Sequence, residues 1–384
     1  MKITLAARHF CPLGGAERFV LAFARYLAGR GHEIRVYAFR GEPVPGVELV
    51  LLEGPALLPR FARDWGTARR IAQRLQTDDA DVRIGGQKFW GCEVLHPLGG
   101  VEEVFWETHV RTHAAIPLPA FTRYLHLKRY FDLAAEARGY RDPRLRCVVA
   151  ESDLVRRQLL RYYPHLEGKI RVVFQGTSLP VDLADHRESH RRALLPSLGM
   201  APDRLTALFM GHDFSRKGLC HALEAVAAAN RRDPANAWQL LVVGRDDTRP
   251  FKNLARRLGI AKSVAFVGSV ADPSACYAAA DLLLFPTTFD SFAIVTVEAL
   301  SAGTPVLTTA QNGGSEIIEE GRNGWVVPNP GMTERMADHM IELGDPHRRE
   351  AMKAAAVATA RRHTAESKFG EIESILVSCA RPRL

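Results

Sequence analysis

Residues 211–218 read Gly-His-Asp-Phe-Ser-Arg-Lys-Gly, and residues 290–298 read Asp-Ser-Phe-Ala-Ile-Val-Thr-Val-Glu. Each stretch follows an apolar run of strand type, Leu205 to Met210 in one case and Leu282 to Phe285 in the other, and each leads into a helical pattern. A strand, a polar turn and a helix N-terminus together form an anion site, because unpaired backbone N–H groups and the helix dipole face the turn. Arg216 and Lys217 add fixed positive charge to the first turn. A helix N-terminus disfavours cations unless an anion lies between them, so the pair points to phosphate more than to a solvated surface. Asp290 and Glu298, eight residues apart, supply carboxylates able to accept bonds from sugar hydroxyls. Phosphate-binding cations beside hydroxyl-binding acids imply a nucleotide-sugar site.

The bland alternatives are specific. Asp290 could be an N-terminal cap and Glu298 an ordinary helix residue. Against this, a charged residue among Val295, Val297, Ala299 and Leu300 needs a partner. A helix beginning near Ala293 leaves the N–H groups of Phe292, Ala293 and Ile294 as donors at its mouth. A third glycine-bearing turn, Phe10 to Arg18 with Gly14 and Gly15, follows the first strand and opens a helix. It is not Gly-x-Gly-x-x-Gly, so it argues for anion contact or a tight turn and not for a dinucleotide. Asp79-Ala-Asp81 reads as a solvated turn before a strand, although Asp-x-Asp also occurs in metal-dependent sugar transfer. Asn312-Gly-Gly-Ser-Glu316 either touches the ligand or turns. The histidines, His96, His109 and His113 among them, have no ligand spacing with one another or with cysteine. No metal is expected, and no cofactor beyond the nucleotide sugar as substrate.

These residues need a frame. The chain has 384 residues, 47% hydrophobic and 24% charged, which is ordinary for a soluble protein and long for one core. No apolar run reaches the roughly 18 residues of a membrane span. The N-terminal residues are too briefly apolar for a signal peptide and read as a first strand. Six cysteines without Cys-x-x-Cys spacing argue against zinc or disulfides and fit a reducing compartment. A cytoplasmic protein is expected. The net charge of +8 suits anionic partners. From Arg111 to Arg146 there are eight basic residues and three acids, interleaved with Phe121, Tyr124, Tyr130, Phe131 and Tyr140. That mixture suits peripheral docking on an anionic cytoplasmic membrane face; a solvated helical excursion is the alternative. Nucleic acid is not expected as a partner.

Strand and helix patterns alternate, which predicts parallel sheets with helical crossovers. Strands are expected at 2–7, 33–38, 48–52, 82–85, 147–150 and 169–174, with helices at 15–29, 60–75 and 153–163. A polar, proline-bearing stretch at 175–202 reads as a linker. Beyond it the spacing predicts strands at 205–210, 238–243, 264–267, 282–285 and 306–309. Helices are expected at 218–230, 251–258, 272–279 and 293–302, and helix over the last ~50 residues. Two doubly wound α/β domains follow, with ligands at strand C-termini. Their expected bounds are 1–176 and 177–365, and a C-terminal helix at about 366–384 is expected to pack back on the first.

With the motifs placed, the chain resembles the retaining family-4 glycosyltransferases, most closely the branch containing lipopolysaccharide core glucosyltransferase I. Phe-Ser-Arg-Lys-Gly, Leu-Leu-Val-Val-Gly, Val-Gly-Ser, Ala-Ala-Ala-Asp-Leu-Leu-Leu-Phe-Pro and Val-Glu-Ala-Leu-Ser-Ala-Gly-Thr-Pro-Val occur in the family's order between Leu205 and Thr309. The resemblance implies a GT-B fold, two Rossmann-like domains facing across an interdomain cleft. It implies that Gly14 and Gly15 line the donor diphosphate and that Arg216 and Lys217 hold its phosphates. It implies that Val267 and Gly268 lie beside the base, that Glu298 holds the ribose and that Asp290 lies near the transferred sugar. The family's first acid is usually Glu, and here it is the shorter Asp290. An Asp or His that faces the sugar in related enzymes has no counterpart in His96-Pro-Leu-Gly-Gly-Val-Glu-Glu103, where glycine stands near its place. The expected reaction is metal-independent, retaining hexose transfer, glucose from UDP-glucose, to a bacterial envelope glycan or lipid-linked acceptor such as lipopolysaccharide core. Two other classes are weighed. A non-catalytic nucleotide-sugar-binding protein would fit Asp290 in place of Glu. A Rossmann oxidoreductase would require the absent glycine loop.

Overall fold

The computed structural model describes residues 1–12, 14–53, 60–86, 88–113 and 127–381. The chain divides into two compact units, Met1–Phe174 with Glu366–Leu384, and Gln175–Ala365.

In unit 1 the elements run β1 (Lys2–Phe10), α1 (Gly15–Gly29), β2 (Glu33–Gly41), β3 (Val47–Leu51), α2 (Arg60–Thr77), β4 (Val82–Gly85) and β5 (Val94–Leu95). They continue through α3 (Glu102–His113), α4 (Leu127–Tyr140), β6 (Cys147–Ala150), α5 (Asp153–Tyr162) and β7 (Ile170–Val172). The seven strands pair in parallel in the order β3-β2-β1-β4-β5-β6-β7. Parallel strands need cover on both faces, and β4 and β6 are accordingly buried along their whole length.

Unit 2 runs α6 (Arg187–Ser197), β8 (Thr206–Met210), α7 (Leu219–Arg232), β9 (Gln239–Val243), α8 (Arg249–Arg257), β10 (Val264–Gly268) and α9 (Ser274–Ala279). It continues with β11 (Leu282–Phe285), α10 (Val295–Ser301), β12 (Val306–Thr309), β13 (Gly324–Val327), α11 (Thr333–Glu342) and α12 (Pro346–Ala360). Its sheet is also parallel, in the order β10-β9-β8-β11-β12-β13. The core packs Phe209, Leu240 and Leu284 of this sheet against Leu223 and Val226 of α7 and the fully enclosed Trp238.

A last helix, α13 (Ala365–Cys379), packs within unit 1. Phe369 sits 5.4 Å from the Phe19 ring and 5.3 Å from that of Phe23. Glu373 accepts from Tyr26 Oη at 2.9 Å and meets His32 Nε2 at 2.8 Å. Burying a side chain such as Phe369 contributes ~1.5–3 kcal/mol.

Three expectations change. The stretch read as a linker is structured: it holds a 3-10 turn at Val181–His186 and helix α6. The buried Arg191 of α6 donates to Ala279 O and to Asp281 Oδ2, both at 2.8 Å, which anchors this polar helix beside α9. Helix α10 begins at Val295 and not Ala293. The basic, aromatic stretch Arg111–Arg146 is not one exposed face. Tyr140 is 1% exposed, Phe131 lies 5.7 Å from Trp65, and the buried Arg129 pairs with Glu103 at 2.7 Å. Among the described rings of the stretch, Tyr130 alone is exposed. Phe121 and Tyr124 lie outside the described residues. No helix among the described residues is long and apolar enough to cross a membrane.

Candidate active site

A doubly wound sheet offers its ligand crevice where strand order reverses, at the strand C-termini. In unit 2 that point lies between β8 and β11, which are neighbours in the sheet though far apart in sequence. The two motifs are the segments that leave these two strands. The fold therefore brings 211–218 and 290–298 together.

The junction is an ion pair. Lys217 Nζ meets Asp290 Oδ2 in direct contact, and both side chains are 12% exposed. Arg216 braces the same seam: its guanidinium donates to Phe289 O at 3.0 Å and to Asp213 Oδ2 at 2.8 Å. The hydroxyls of Thr287 and Thr288 donate to Arg216 O at 3.1 and 2.9 Å. Burial lowers the Lys217 pKa, against the opposing pull of Asp290. For Asp290 burial pushes the other way, but Lys217 and Arg216 outweigh it and hold the carboxyl below its ordinary value.

Asp290 also occupies the mouth of α10. Its Oδ1 accepts from Ala293 N at 2.8 Å and from Phe292 N at 3.3 Å. The N–H groups of Phe292 and Ala293, expected to be open donors, are thus taken by the carboxylate. Ile294 becomes the residue preceding the helix, and no side chain among the described residues caps it. The turn needed to make these bonds gives Ala293 a φ of 52°. Asp213 in the other motif has a φ of 59°, and these are the two non-glycine residues with positive φ among the described residues. Such conformations cost on the order of 1–3 kcal/mol and cluster at ligand sites.

Glu298 lies on α10, half-buried, where Tyr277 Oη donates to its Oε2 at 2.6 Å. Tyr277 is fully buried on α9; sequence reading passed over it, and a short apolar helix followed by Asp281 gives little signal for it. Val267 and Gly268 close β10, two strands away from β8. Gly268 O accepts from Gly244 N at 2.8 Å. Gly244, at the end of β9, has no room for a side chain: a Cβ there would lie 1.8 Å from Gly211 O. The ends of β8, β9 and β10 therefore form a continuous backbone floor through Gly211, Gly244 and Gly268.

Asn312 proves to be scaffold. It is fully buried, with Nδ2 donating to Thr296 and Thr308 at 3.1 Å each. Asp79 is tied to Lys2 at 2.7 Å. No cluster of His, Cys, Asp and Glu among the described residues could hold a metal ion.

Gly14 and Gly15 belong to unit 1. Gly14 precedes α1 with an extended φ of −145°, and the space beside Gly15 is open.

Comparison with known proteins places this geometry. The family described as glycosyl transferases group 1 matches residues 204–345, and glycosyltransferase family 4 matches residues 13–179. The lipopolysaccharide glucosyltransferase WaaG of Escherichia coli K12 is 26% identical over 338 residues, covering 88% of this chain and 87% of its own. A D-inositol 3-phosphate glycosyltransferase of Kribbella flavida is 29% identical, covering 94% of this chain and 91% of its own. The crystal structure of WaaG has a TM-score of 0.80 at 24% identity, covering 97% of this chain and 99% of that one. Anabaena HepE in complex with UDP-glucose has a TM-score of 0.71 at 20% identity, covering 98% and 100%.

Proposed function

Because this chain belongs to the family-4 glycosyltransferases, we propose that it transfers glucose from UDP-glucose, with retained configuration and no metal, to a bacterial envelope glycan or lipid-linked acceptor such as lipopolysaccharide core. The observation that carries the reading is the Lys217–Asp290 pair. It joins the two loops at the strand-order reversal and sets a cation beside a hydroxyl acceptor, the two groups that recognition of a sugar diphosphate calls for. The likeness to the E. coli glucosyltransferase supports glucose and an envelope acceptor, and the UDP-glucose complex of HepE makes UDP-glucose the first donor to test.

Departure of the diphosphate is the demanding step. Arg216 and Lys217 are positioned to stabilise the developing charge, and fixed charges in a site that excludes water do this without reorganisation. Asp290 orients Lys217 and accepts from the sugar, Glu298 accepts from the ribose hydroxyls with Tyr277 holding it, and the backbone floor at Gly268 lies beside the base. The exposed basic residues of the stretch Arg111–Arg146, Lys128, Arg138, Arg141 and Arg146 among them, dock the enzyme on the inner, anionic face of the cytoplasmic membrane.

The test is release of UDP by the purified chain from UDP-glucose, with and without an envelope-lipid extract as acceptor. Acceptor-stimulated release and an α-configured product support the reading. UDP binding by calorimetry with no release under either condition would favour a non-catalytic nucleotide-sugar-binding protein.

A further inference from the structure

Unit 1 holds a half-open cavity of 310 Å³ at the C-terminal ends of β1 and β4, walled by α1, α2 and α4. Aromatic rings make much of its wall: Phe19, Phe39, Trp65, Phe89 and Phe131. Its two cations are already paired. Arg8 is in contact with Asp64, and Lys88 Nζ sits 3.2 Å from Asp132 and 3.0 Å from Glu102. Two cations face three acids, Glu17, Asp64 and Asp132, along the lining. A phosphorylated or acidic ligand would meet surplus negative charge, and a free sugar would leave most of its hydroxyls against apolar rings at the cost of unmade hydrogen bonds.

One wall group is unfinished. His96, just beyond β5, is 3% exposed and packs edge-on to Phe19 at 5.0 Å. Its Nδ1 lies 2.8 Å from Val149 O. A carbonyl only accepts, so Nδ1 carries the proton and Nε2 presents a lone pair. Burial lowers the His96 pKa to about 4, which keeps the ring neutral and that lone pair free at neutral pH. Among the described residues Nε2 has no hydrogen-bond partner. Buried polar atoms in folded proteins are nearly always satisfied. Arg8 Nε is likewise buried without a partner, a donor that the oxygen of a hydroxyl or ether would satisfy.

We propose that this cavity binds a small uncharged ring compound with a largely apolar body and a hydroxyl, the hydroxyl donating to His96 Nε2. The inference goes beyond the donor reading above, concerns unit 1 alone, and stands or falls separately from the nucleotide site.

Calorimetry with three probes tests it: 2-naphthol, 2-methoxynaphthalene, which lacks the hydroxyl donor, and 2-naphthyl phosphate. The full chain should bind 2-naphthol about tenfold tighter than the methyl ether, the size of one buried neutral hydrogen bond, and the phosphate more weakly still. In His96→Asn the side-chain amide still donates to Val149 O but lacks the Nε2 acceptor. The naphthol preference should fall to about one while methyl ether affinity stays unchanged. Ala135→Leu, which fills the cavity from α4, should abolish binding of both neutral probes and leave UDP affinity unchanged. The inference is overturned by any of three results: phosphate binding as tight as naphthol binding, an undiminished naphthol preference in His96→Asn, or no saturable binding of 2-naphthol to the unaltered chain. UDP titration of the same samples reports the donor site independently.

Discussion

Replacing Asp290 by Asn probes the junction between the two motifs. The carboxylate serves Lys217 through Oδ2 and the N–H groups of Phe292 and Ala293 through Oδ1. Asn keeps the shape, and its oxygen can still accept from both N–H groups. Its NH2, however, turns donors toward an ammonium that has only donors. Lys217, 12% exposed, is left without its acid. Removing one partner of a buried ion pair costs ~3–5 kcal/mol, and the residual exposure puts the expectation near the lower end, ~3 kcal/mol. In a domain of roughly 200 residues each kcal/mol shifts Tm by ~2–4 °C, so a loss of about 6–12 °C is expected. Lys217→Met should cost less, because the carboxylate keeps its two N–H donors. The double substitution should melt above the sum of the single losses by at least ~1 kcal/mol of coupling. Acid titration adds a second check. The folded Asp290 pKa lies below its ordinary value near 3.8. The group therefore binds fewer protons folded than unfolded, and its contribution is present above that value and lost as pH falls through the folded pKa. The asparagine variant should show a shallower loss of stability below pH ~4. A variant melting within ~1 °C of the parent at pH 7, with strictly additive single losses, would refute the reasoning.

Lys217→Ala should weaken UDP binding by ~1.5–3 kcal/mol, the worth of a charge-assisted contact, or roughly ten- to a hundredfold by calorimetry. An unchanged Kd would remove the phosphate role. Glu298→Gln retains an oxygen for the Tyr277 hydroxyl, so its melting should hold while UDP affinity drops about fivefold, ~1 kcal/mol; the reverse pattern would make Glu298 structural. Gly218→Ala should yield little folded protein, because φ is 81° and the new Cβ would lie 1.9 Å from Pro286 O. That combines a left-handed penalty of ~1–2 kcal/mol with overpacking, and a parental melting curve would contradict it. Flotation with anionic vesicles at low salt, lost at high salt or on neutral vesicles, is expected from the basic residues of Arg111–Arg146, at about 1 kcal/mol for each one near the surface. Equal flotation on neutral vesicles would refute an electrostatic origin.

Much of the architecture was legible because buried parallel strands are short continuous apolar runs. Cys147–Ala150 and Leu282–Phe285 were read to the residue. The reading failed where burial is achieved by pairing charge. β1 runs on through Arg8 and His9 to Phe10 because Asp64 and Glu17 receive those side chains. Helix α6 passed for a linker because Arg191 reads as solvated, and its acid, Asp281, is 90 residues away. β5, two residues long, gives no period at all. On the stretch Arg111–Arg146, basic and aromatic side chains read alike whether they face water or, as with Arg129 and Tyr140, the interior.

The site divides in the same way. Residue types at the motifs raised the expectation of charge and hydroxyl recognition, and topology placed both motifs at neighbouring strand ends. What each group bonds to was hidden, because the partner of Lys217 is 73 residues away and that of Glu298 is 21. This changes the chemistry, not only the description. A sequence reading gives Arg216 and Lys217 wholly to phosphate. In the folded chain Lys217 already faces Asp290, and Arg216 already holds Asp213 and Phe289 O. On the proposed reading, an arriving diphosphate shares Lys217 with a carboxylate whose other oxygen fixes the strained turn at Ala293. On that reading, phosphate recognition at the first loop and backbone geometry at the second are coupled through one side chain, and Asp290, shorter by a methylene than the Glu usual at this position in the enzymes the chain resembles, sets the reach of that coupling.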